Sequence, residues 1–375
     1  MDAPYDVAII GAGPVGLATA IGLRERGITN LTVLEQARAF RKAGQIVDLL
    51  PNGLKALHYL SPQAYRAVRN RRLQGPSAQR WLRKDPSGGD IDAFSLDDAA
   101  WEQAYGTGWA PLYWYVLQQA LRDCLPPDTI RLDRRCIDVT EEPTSECVRV
   151  DCLSRLGEMP NPYAHWESGT AADRTTSDSA QLGTPVPPVR ARLVLAADGI
   201  NSMARRALYR ATPYQAYACP EYSGFAAIGC LDAGEVPADL SAELDRRYNL
   251  DGNVLALAHP QATATPTQSK TAHLFAFRRP NGHLGFMLHA PLPLASVQAS
   301  NGEGAIALAT EALARAEFPK LVQRLVQLAP PGELIKRPYY IHSARQADSG
   351  TEPPWQWGRI ALLGDAAHGM PPFLA

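Results

Sequence analysis

The pattern of apolar and polar positions at the start of the chain predicts a strand, a helix and a second strand in close succession. Residues 7–10 are continuously apolar, which is typical of a strand that is buried on both faces of a parallel sheet. An amphipathic helix follows and extends to about Arg26, where Gly27 stops it. A second apolar run ends at Glu35. The pattern therefore predicts a β–α–β unit over residues 6–35.

The turn between the first strand and the helix contains three glycines, in the order GAGPVG. Gly11 permits a sharp turn, Gly13 leaves room for a pyrophosphate at the helix N-terminus, and Gly16 lets helix and strand pack closely. Glu35 lies 22 residues after Gly13, near the spacing of about 20 residues at which an acid reaches an adenosine ribose hydroxyl. This order of strand, glycine turn, helix and acid predicts a binding site for a dinucleotide, either NAD or FAD. A glycine-rich crossover without function is the alternative.

Two further apolar runs end in an acid and a glycine. Residues 193–197 lead to Asp198-Gly199, with Arg205 in the first turn of a predicted helix, and residues 360–363 lead to Gly364-Asp365. Ligands bind at the carboxyl edge of a parallel sheet, so we expect both turns beside the first glycine turn. The alternative for Asp198-Gly199 is a strand-to-helix turn that needs this pair only for its backbone geometry.

The middle of the chain differs in pattern. Residues 155–188 are rich in Pro, Ser, Thr and Gly and poor in large apolar side chains, which predicts a flexible insertion, either a long hairpin loop or a disordered segment. Several alternating runs within residues 209–295 predict antiparallel strands in a separate sheet. We therefore expect a first domain interrupted by a second, β-rich one.

Composition narrows the class of protein. The 375 residues are 46% hydrophobic and 20% charged, with a net charge of −1, so nothing indicates a nucleic-acid partner. No apolar run is long enough to span a bilayer, and the first strand begins within ten residues, which predicts a cytoplasmic protein. The six cysteines are scattered and the eight histidines occur singly, so we expect neither a metal site nor a disulfide framework.

Taken together, GAGPVG with Glu35, DGINSMAR from Asp198, and GRIALLGDAAHGMPP from Gly358 resemble the flavin-dependent aromatic hydroxylases. These are single-component FAD monooxygenases with the fold of para-hydroxybenzoate hydroxylase, and the resemblance runs from residue 6 to residue 372. It implies an α/β fold in which a Rossmann-like FAD-binding domain is interrupted by a β-rich (α+β) substrate domain. The expected FAD-binding segments are residues 1–75, 111–208 and 301–375, and the expected substrate-domain segments are residues 76–110 and 209–300.

The resemblance also implies a set of cofactor-binding residues. Three glycines would hold the pyrophosphate, Glu35 the adenosine ribose and Asp365 the ribityl chain. Asp198-Gly199 would serve both FAD and a passing nicotinamide, and Gln45 would lie near the isoalloxazine. The full set is Gly11, Gly13, Pro14, Gly16, Glu35, Gln45, Asp198, Gly199, Arg205, Gly364 and Asp365.

The implied reaction uses NAD(P)H as co-substrate. Hydride passes to FAD, the reduced flavin captures O₂, and a flavin hydroperoxide transfers one oxygen atom to an aromatic or other electron-rich small molecule. The sequence identifies no catalytic base. Tyr222 and His289, on predicted substrate-domain strands, are candidates, with ordinary packing as the alternative. The substrate, the choice between NADH and NADPH, and the oligomeric state stay open.

The chain departs from the family pattern at two places. Many members have an arginine at the start of the helix that begins near Trp114, where it contacts the FAD phosphates, and this chain has Trp114-Tyr115. The resemblance also implies a glycine-rich turn and a long helix after Pro372, whereas the sequence stops at Ala375. We therefore expect the C-terminal helix of the fold to be missing.

Two alternatives to an active monooxygenase follow. One is a truncated or degenerate flavin-fold protein without catalysis. The other is a related flavin reductase or halogenase, which is less favoured because the Trp-x-Trp-x-x-Ile pattern of halogenases is not found. Trp355-Gln356-Trp357 is followed instead by Gly358-Arg359.

Overall fold

The computed structural model describes residues 3–40, 42, 46–74, 80–95, 97–154, 183–260, 272–279, 281–343 and 352–371. They form two compact units. The first is built from described residues within 1–73, 109–221 and 341–370, and the second from those within 74–108 and 222–340 together with Pro371. Each unit combines a sheet with helices, so the predicted α/β class is confirmed.

The strands, in chain order, are β1 (Tyr5–Ile10), β2 (Leu31–Leu34), β3 (Ile46–Leu49), β4 (Arg80–Lys84), β5 (Asp90–Ser95), β6 (Ala110–Tyr113), β7 (Ile130–Arg131), β8 (Arg135–Glu142), β9 (Cys147–Ser154), β10 (Thr184–Ala196), β11 (Glu221–Cys230), β12 (Val254–Leu257), β13 (His273–Arg278), β14 (Leu284–Pro291), β15 (Ile335–Ile341), β16 (Gln356–Trp357) and β17 (Ile360–Leu362). The helices are α1 (Pro14–Glu25), α2 (Pro51–Leu60), α3 (Pro62–Arg69), α4 (Asp98–Tyr105), α5 (Trp114–Arg122), α6 (Met203–Tyr209), α7 (Ala238–Tyr248), α8 (Leu294–Ala299), α9 (Gly302–Arg315), α10 (Lys320–Gln327) and α11 (Asp365–His368).

The main sheet of the first unit has the strand order β16-β17-β10-β1-β2-β7, and β9 and β8 extend it beside β10. Strands β17, β10, β1 and β2 are parallel. Alternate residues of β1 enter different cores: Val7 and Ile9 pack in one cluster, and Ala8 and Ile10 in another. Residues 7–10 of β1 are continuously apolar because each face of the sheet is covered there.

The second unit contains a sheet with the order β15-β11-β14-β13-β12-β4-β5. Its central strands β11, β14, β13 and β12 are antiparallel. One core includes Leu274 and Leu288 of the sheet together with Leu244, Leu313 and Leu325 of helices α7, α9 and α10. These three helices therefore cover one face of the sheet.

Two boundaries between the units differ from the predicted ones, those expected near residues 209 and 300. We expected the substrate domain over residues 209–300, but residues 209–221 lie in the first unit and residues 301–340 in the second. Tyr209 and Tyr217 pack in a core of the first unit, whereas the apolar faces of α9 and α10 pack in that of the second. An amphipathic pattern shows that a helix covers a sheet without showing which sheet.

The predicted insertion, residues 155–188, also extends too far towards the C-terminus. Residues 184–188 belong to β10, and Pro185 and Val186 pair with Leu153 and Cys152 of β9. Residues 155–182 of the insertion lie outside the described part of the chain. Among the helices of the described part, none has the length and apolar character that crossing a membrane requires.

Candidate cofactor site

Three turns meet at the carboxyl edge of the sheet in the first unit. Ile10 of β1 pairs with Ala196 of β10, which in turn pairs with Leu362 of β17. The turns that follow these strands therefore leave the sheet at the same level. A Cβ on Gly364 would lie 3.0 Å from Cγ2 of Val15, so the turn after β17 adjoins the first turn of α1. The predicted convergence is present.

The glycines of the turn after β1 have different surroundings. Gly11 has a φ of +99°, and a Cβ there would lie 2.4 Å from the carbonyl oxygen of Ala197. A Cβ on Gly16 would lie 2.0 Å from the carbonyl oxygen of Gly11. At Gly13 no heavy atom lies within 4 Å of the Cβ position. Two of the glycines thus permit close packing, and the third faces open space.

That open space lies at the N-terminus of α1. Gly13 is the N-cap residue and provides no side-chain cap, and the first turn of the helix contains no acid. Pro14 is the first helical residue and has no N–H to donate. The remaining backbone N–H groups of the first turn and the positive end of the helix dipole therefore fit an anion such as a pyrophosphate.

Glu35 links the glycine turn to the loop after β2. Its Oε2 accepts a hydrogen bond from Ala12 N at 2.8 Å, and its Oε1 accepts one from Ala37 N at 2.8 Å. Burial raises the pKa of this carboxyl, and the backbone hydrogen bonds oppose that rise. Each carboxylate oxygen can accept a second hydrogen bond, so the arrangement also suits a ribose hydroxyl.

Asp198 uses one oxygen to cap α6. Its Oδ2 accepts hydrogen bonds from Met203 N at 2.8 Å and Ala204 N at 3.3 Å. Its Oδ1 is buried and has no hydrogen-bond partner within the described residues. Burial raises the pKa of the carboxyl. Because buried acceptors are rarely left unpaired, Oδ1 fits a donor from a ligand, and Gly199, at a φ of +78°, leaves open space beside it.

Arg205 is positioned differently from what the resemblance implied. The side chain is 1% exposed. It donates from Nε to the carbonyl oxygen of Tyr217 at 2.7 Å, and from Nη1 to those of Ala366 at 3.0 Å and Ala367 at 2.7 Å. These bonds tie α6 to α11, so we correct the predicted role of Arg205 from cofactor binding to positioning of the turn after β17.

Asp365 is the first residue of α11 and is exposed to solvent. Partial desolvation of its carboxyl raises the pKa, and His368 opposes that rise. Gly364 precedes it with a φ of +57°, a backbone conformation that favours glycine. Gln45, the remaining predicted cofactor residue, lies outside the described residues.

The sequence reasoning missed Gln118 on α5. Its Nε2 donates to the carbonyl oxygen of Ala12 at 2.8 Å, and the residue is 3% exposed. Gln118 and Glu35 thus both hold the glycine turn at Ala12: Gln118 binds its carbonyl oxygen, and Glu35 binds its amide N–H. The available signal was a polar residue inside a buried helical stripe, between Leu117 and Leu121. Such a residue needs a hydrogen-bond partner, because burying an unpaired amide is unfavourable.

The two candidate bases in the second unit differ in their partners. The Tyr222 hydroxyl donates to the carbonyl oxygen of Leu292 at 2.7 Å, and burial raises its pKa to about 12, as packing would require. His289 contacts Tyr339, with 3.0 Å between Nδ1 and the phenolic oxygen. No cluster of three or more metal-ligating side chains occurs in the described part of the chain.

Comparison of the sequence with known proteins finds an FAD-binding family and several monooxygenases. A family model described as "FAD binding domain" matches residues 4–45. A 3-amino-4-hydroxybenzoate 2-monooxygenase from Streptomyces cremeus is 28% identical over 64% of this chain and 48% of its own length. A 6-hydroxynicotinate 3-monooxygenase from Bordetella bronchiseptica is 24% identical over 98% of this chain and 78% of its own. The chain thus matches about half of the first relative and about three-quarters of the second.

Solved structures agree on the fold. Klebsiella pneumoniae HpxO, complexed with FAD and uric acid, matches 96% of this chain and 73% of its own with a TM-score of 0.61 and 21% identity. A salicylate hydroxylase substrate complex matches 98% of this chain and 74% of its own with a TM-score of 0.62 and 19% identity. The sequence is thus similar to those of FAD-dependent monooxygenases, and the fold is that of flavin monooxygenases such as a salicylate hydroxylase.

Proposed function

We propose that the protein is an FAD-dependent monooxygenase that uses NAD(P)H and O₂ to hydroxylate an aromatic or other electron-rich small molecule. The relatives named above are monooxygenases whose names give 3-amino-4-hydroxybenzoate and 6-hydroxynicotinate as substrates. Hydroxylated aromatic carboxylic acids are therefore the first compounds to test. The oxygen-transfer route predicted above, the cytoplasmic location and the choice of nicotinamide stay predictions.

The observation that most supports this function is the shared sheet edge. It combines an open space at the N-terminus of α1, beside Gly13, with an unpaired buried acceptor, Asp198 Oδ1. An elongated ligand with both phosphates and hydroxyls would satisfy these groups together. FAD is such a ligand.

The backbone of the turn from Gly11 to Gly16 would hold the pyrophosphate, and Glu35 would accept a hydrogen bond from the adenosine ribose. Asp365 would contact the ribityl chain, and Asp198-Gly199 would serve FAD and the nicotinamide. Arg205 and Gln118 would act as positioning residues, because each donates hydrogen bonds to backbone carbonyls. FAD, when bound, would supply the redox chemistry and activation of O₂.

The experiment that tests this function begins with the purified chain and added FAD. We expect a bound flavin spectrum, and oxidation of NADH or NADPH that a hydroxybenzoate or hydroxynicotinate accelerates. Asp365→Ala should weaken FAD binding without unfolding the protein, because the side chain is exposed. Asp239→Ala, an exposed acid of the second unit, is the matched control and should bind FAD as the wild type does. A protein that takes up no FAD would contradict the proposal.

The same experiment separates the alternatives. A flavoprotein whose NAD(P)H oxidation is unaffected by any aromatic compound, and which forms no hydroxylated product, would be a reductase. Chlorinated or brominated products would indicate a halogenase. Both would retain the FAD site and refute the hydroxylase assignment.

A further inference from the structure

Strands β3 and β6 of the first unit form a two-stranded antiparallel sheet with two different faces. One face packs against a core that includes residues of α1 and α5, through the side chains of Val47, Leu49, Ala110 and Leu112. Because side chains alternate along a strand, the intervening residues point to the other face. We call this second face the Asp48 face, and its residues are Ile46, Asp48, Trp109, Pro111 and Tyr113.

The Asp48 face is apolar around one carboxyl group. Ile46 is 47% exposed, and Tyr113, its register partner, is 40% exposed. The ring of Tyr113 stacks on that of Tyr115, with 5.6 Å between the centroids and an interplanar angle of 21°. Asp48 is the one charged residue of the five, and it is exposed. Sites for small molecules combine apolar and aromatic side chains with a few placed polar groups in this way.

Trp109 orients the Asp48 carboxyl group and leaves one of its oxygens without a donor. Trp109 Nε1 donates to Asp48 Oδ1 at 3.1 Å, and Arg69 Nη1 donates to the carbonyl oxygen of Trp109 at 3.2 Å. Within the described part of the chain, Asp48 Oδ2 accepts no hydrogen bond. Desolvation raises the pKa of Asp48, and the Trp109 hydrogen bond opposes that rise. A donor on Oδ2 would therefore stabilise the carboxylate.

The Asp48 face lies beside the sheet edge that fits FAD. Helix α5 begins directly after β6, with Tyr113 as its N-cap residue, and Gln118 of this helix donates to the carbonyl oxygen of Ala12 in the glycine turn. Five residues of helix separate Tyr113 from Gln118, a rise of about 7.5 Å. The substrate of a flavin enzyme has to bind beside its cofactor, and this face is in the same unit and close to the cofactor edge.

We propose that the Asp48 face binds the ring of the aromatic substrate, and that Asp48 is a specificity-determining residue that selects a ring with an amino substituent. The ring would pack on Ile46 and Tyr113, and the amino group would donate to Asp48 Oδ2. An aromatic amine is neutral near pH 7 and has two N–H donors, whereas a methyl group has none and a carboxylate is repelled by Asp48. The inference rests on the proposed function and narrows its substrate class.

The test compares three hydroxybenzoates that differ in one substituent. They are 3-amino-4-hydroxybenzoate, 4-hydroxy-3-methylbenzoate and 4-hydroxyisophthalate, which carries a carboxylate in place of the amino group. Equilibrium dialysis against the FAD-loaded chain gives a Kd for each compound. We expect the wild type to bind the amino compound about tenfold more tightly than the methyl compound, because only the amino group donates to a charged acceptor. The carboxylate compound should bind most weakly.

Asp48→Ala should change the three affinities in different directions. The amino compound should bind about tenfold more weakly than to the wild type, and the methyl compound should change by less than about threefold. The carboxylate compound should bind at least about threefold more tightly, because the repulsion is gone. A variant that had only lost structure would bind all three more weakly. Asp123→Ala, at an exposed acid that pairs with Arg71, is the matched control and should change none of the affinities.

A second variant separates the charge of Asp48 from its shape. Asp48→Asn keeps the size of the side chain and an acceptor oxygen, but it has no charge and gains N–H donors. It should therefore bind the carboxylate compound at least about threefold more tightly than the wild type does. Its circular dichroism spectrum should be that of the wild type, because the side chain is exposed.

Three results would overturn the inference: no binding of the three compounds, equal affinities of the wild type for the amino and methyl compounds, or an Asp48→Ala variant that keeps the wild-type preference. Loss of FAD from Asp48→Ala with the preference unchanged belongs to the third result, and it would assign the face to the cofactor instead of the substrate. These readouts need no turnover.

The two proposals fail separately. A chain that takes up no FAD would contradict the proposed function, while dialysis without FAD would still report whether Asp48 sets a preference. Conversely, an active hydroxylase that binds the amino and methyl compounds equally would refute only the role of Asp48.

Discussion

The glycines of the turn after β1 illustrate how one residue type serves two purposes at the residue scale. At Gly16 a side chain has no room, because its Cβ would lie 2.0 Å from the carbonyl oxygen of Gly11. At Gly13 a side chain has room, but only in the space that the phosphates would fill. The motif GxGxxG therefore combines a folding requirement with a binding requirement, and the two can be separated by mutation.

Gly13→Ala should reduce FAD affinity at least about tenfold, because its methyl group would project into the phosphate space. Its free energy of unfolding should change by less than about 1 kcal/mol, since Gly13 has a φ of −72° that alanine adopts readily. Gly16→Ala is the matched control for the fold and should lose about 2 kcal/mol through overpacking. Flavin fluorescence titration and thermal unfolding check both. Equal effects of the two substitutions on stability would contradict this division.

His342 should make the first unit sensitive to acid. Burial, assisted by Arg205, lowers the pKa of this histidine to about 4 from an ordinary value of 6.5, and the Ile200 backbone opposes the change. The folded state therefore binds fewer protons than the unfolded state between these values. The contribution of the neutral imidazole to the stability of the folded state is fully present above pH 6.5 and is lost as the pH falls towards 4.

His342→Gln should remove this dependence. The wild type should lose about 2 kcal/mol of stability between pH 7 and pH 5 through this residue alone, and the variant should lose that much less. Urea unfolding at the two pH values measures the difference. His58→Gln, at an exposed position, should behave as the wild type does. If His342→Gln keeps the wild-type dependence, the histidine is not the cause.

At the scale of elements, one buried guanidinium joins α6 to α11. Arg205 donates from Nε and Nη1 to three carbonyls, two of which belong to α11. Because α11 begins at Asp365, the same bonds fix the turn that adjoins α1. A buried residue that binds backbone carbonyls can in this way determine whether the site forms.

Arg205→Ala should destabilise the first unit by about 3 kcal/mol, because it leaves buried carbonyls without donors. FAD affinity should fall as well, since the Gly364-Asp365 turn is no longer held. Arg210→Ala, which removes a 60% exposed partner of Asp138, should change stability by less than about 1 kcal/mol. Chemical unfolding and flavin titration of both variants test this. Undiminished stability in Arg205→Ala would show that α11 is held by other contacts.

The same elements show what sequence patterns can predict. The apolar runs of β1, β10 and β17 revealed their strands, and the sheet brings their turns together because parallel strands end at one edge. Arg205 was misassigned because a motif gives a residue's position along the chain without the direction of its side chain. The Tyr339–His289 contact was unpredictable, since it joins residues 50 positions apart across an intervening strand.

At the scale of the whole molecule, the chain divides its tasks between two units with separate cores. The first presents the sheet edge that fits FAD, and the second contains the hydrogen-bonded Tyr339–His289 pair. Helices α9 and α10 stabilise the second unit and lie in sequence between β14 and β15 of its sheet. The proposed hydroxylase activity requires that the oxygen atom added to the product come from O₂.

The most direct measurement is therefore the isotopic mass of the product formed under ¹⁸O₂. The FAD-loaded protein would be given NADH or NADPH and, in turn, hydroxylated benzoates and nicotinates, with heat-denatured protein as the control. We predict a product that contains one ¹⁸O atom and forms in proportion to the NAD(P)H oxidised. Oxidation of NAD(P)H with no labelled product from any aromatic compound, or a product whose new oxygen comes from water, would contradict the assignment as a monooxygenase.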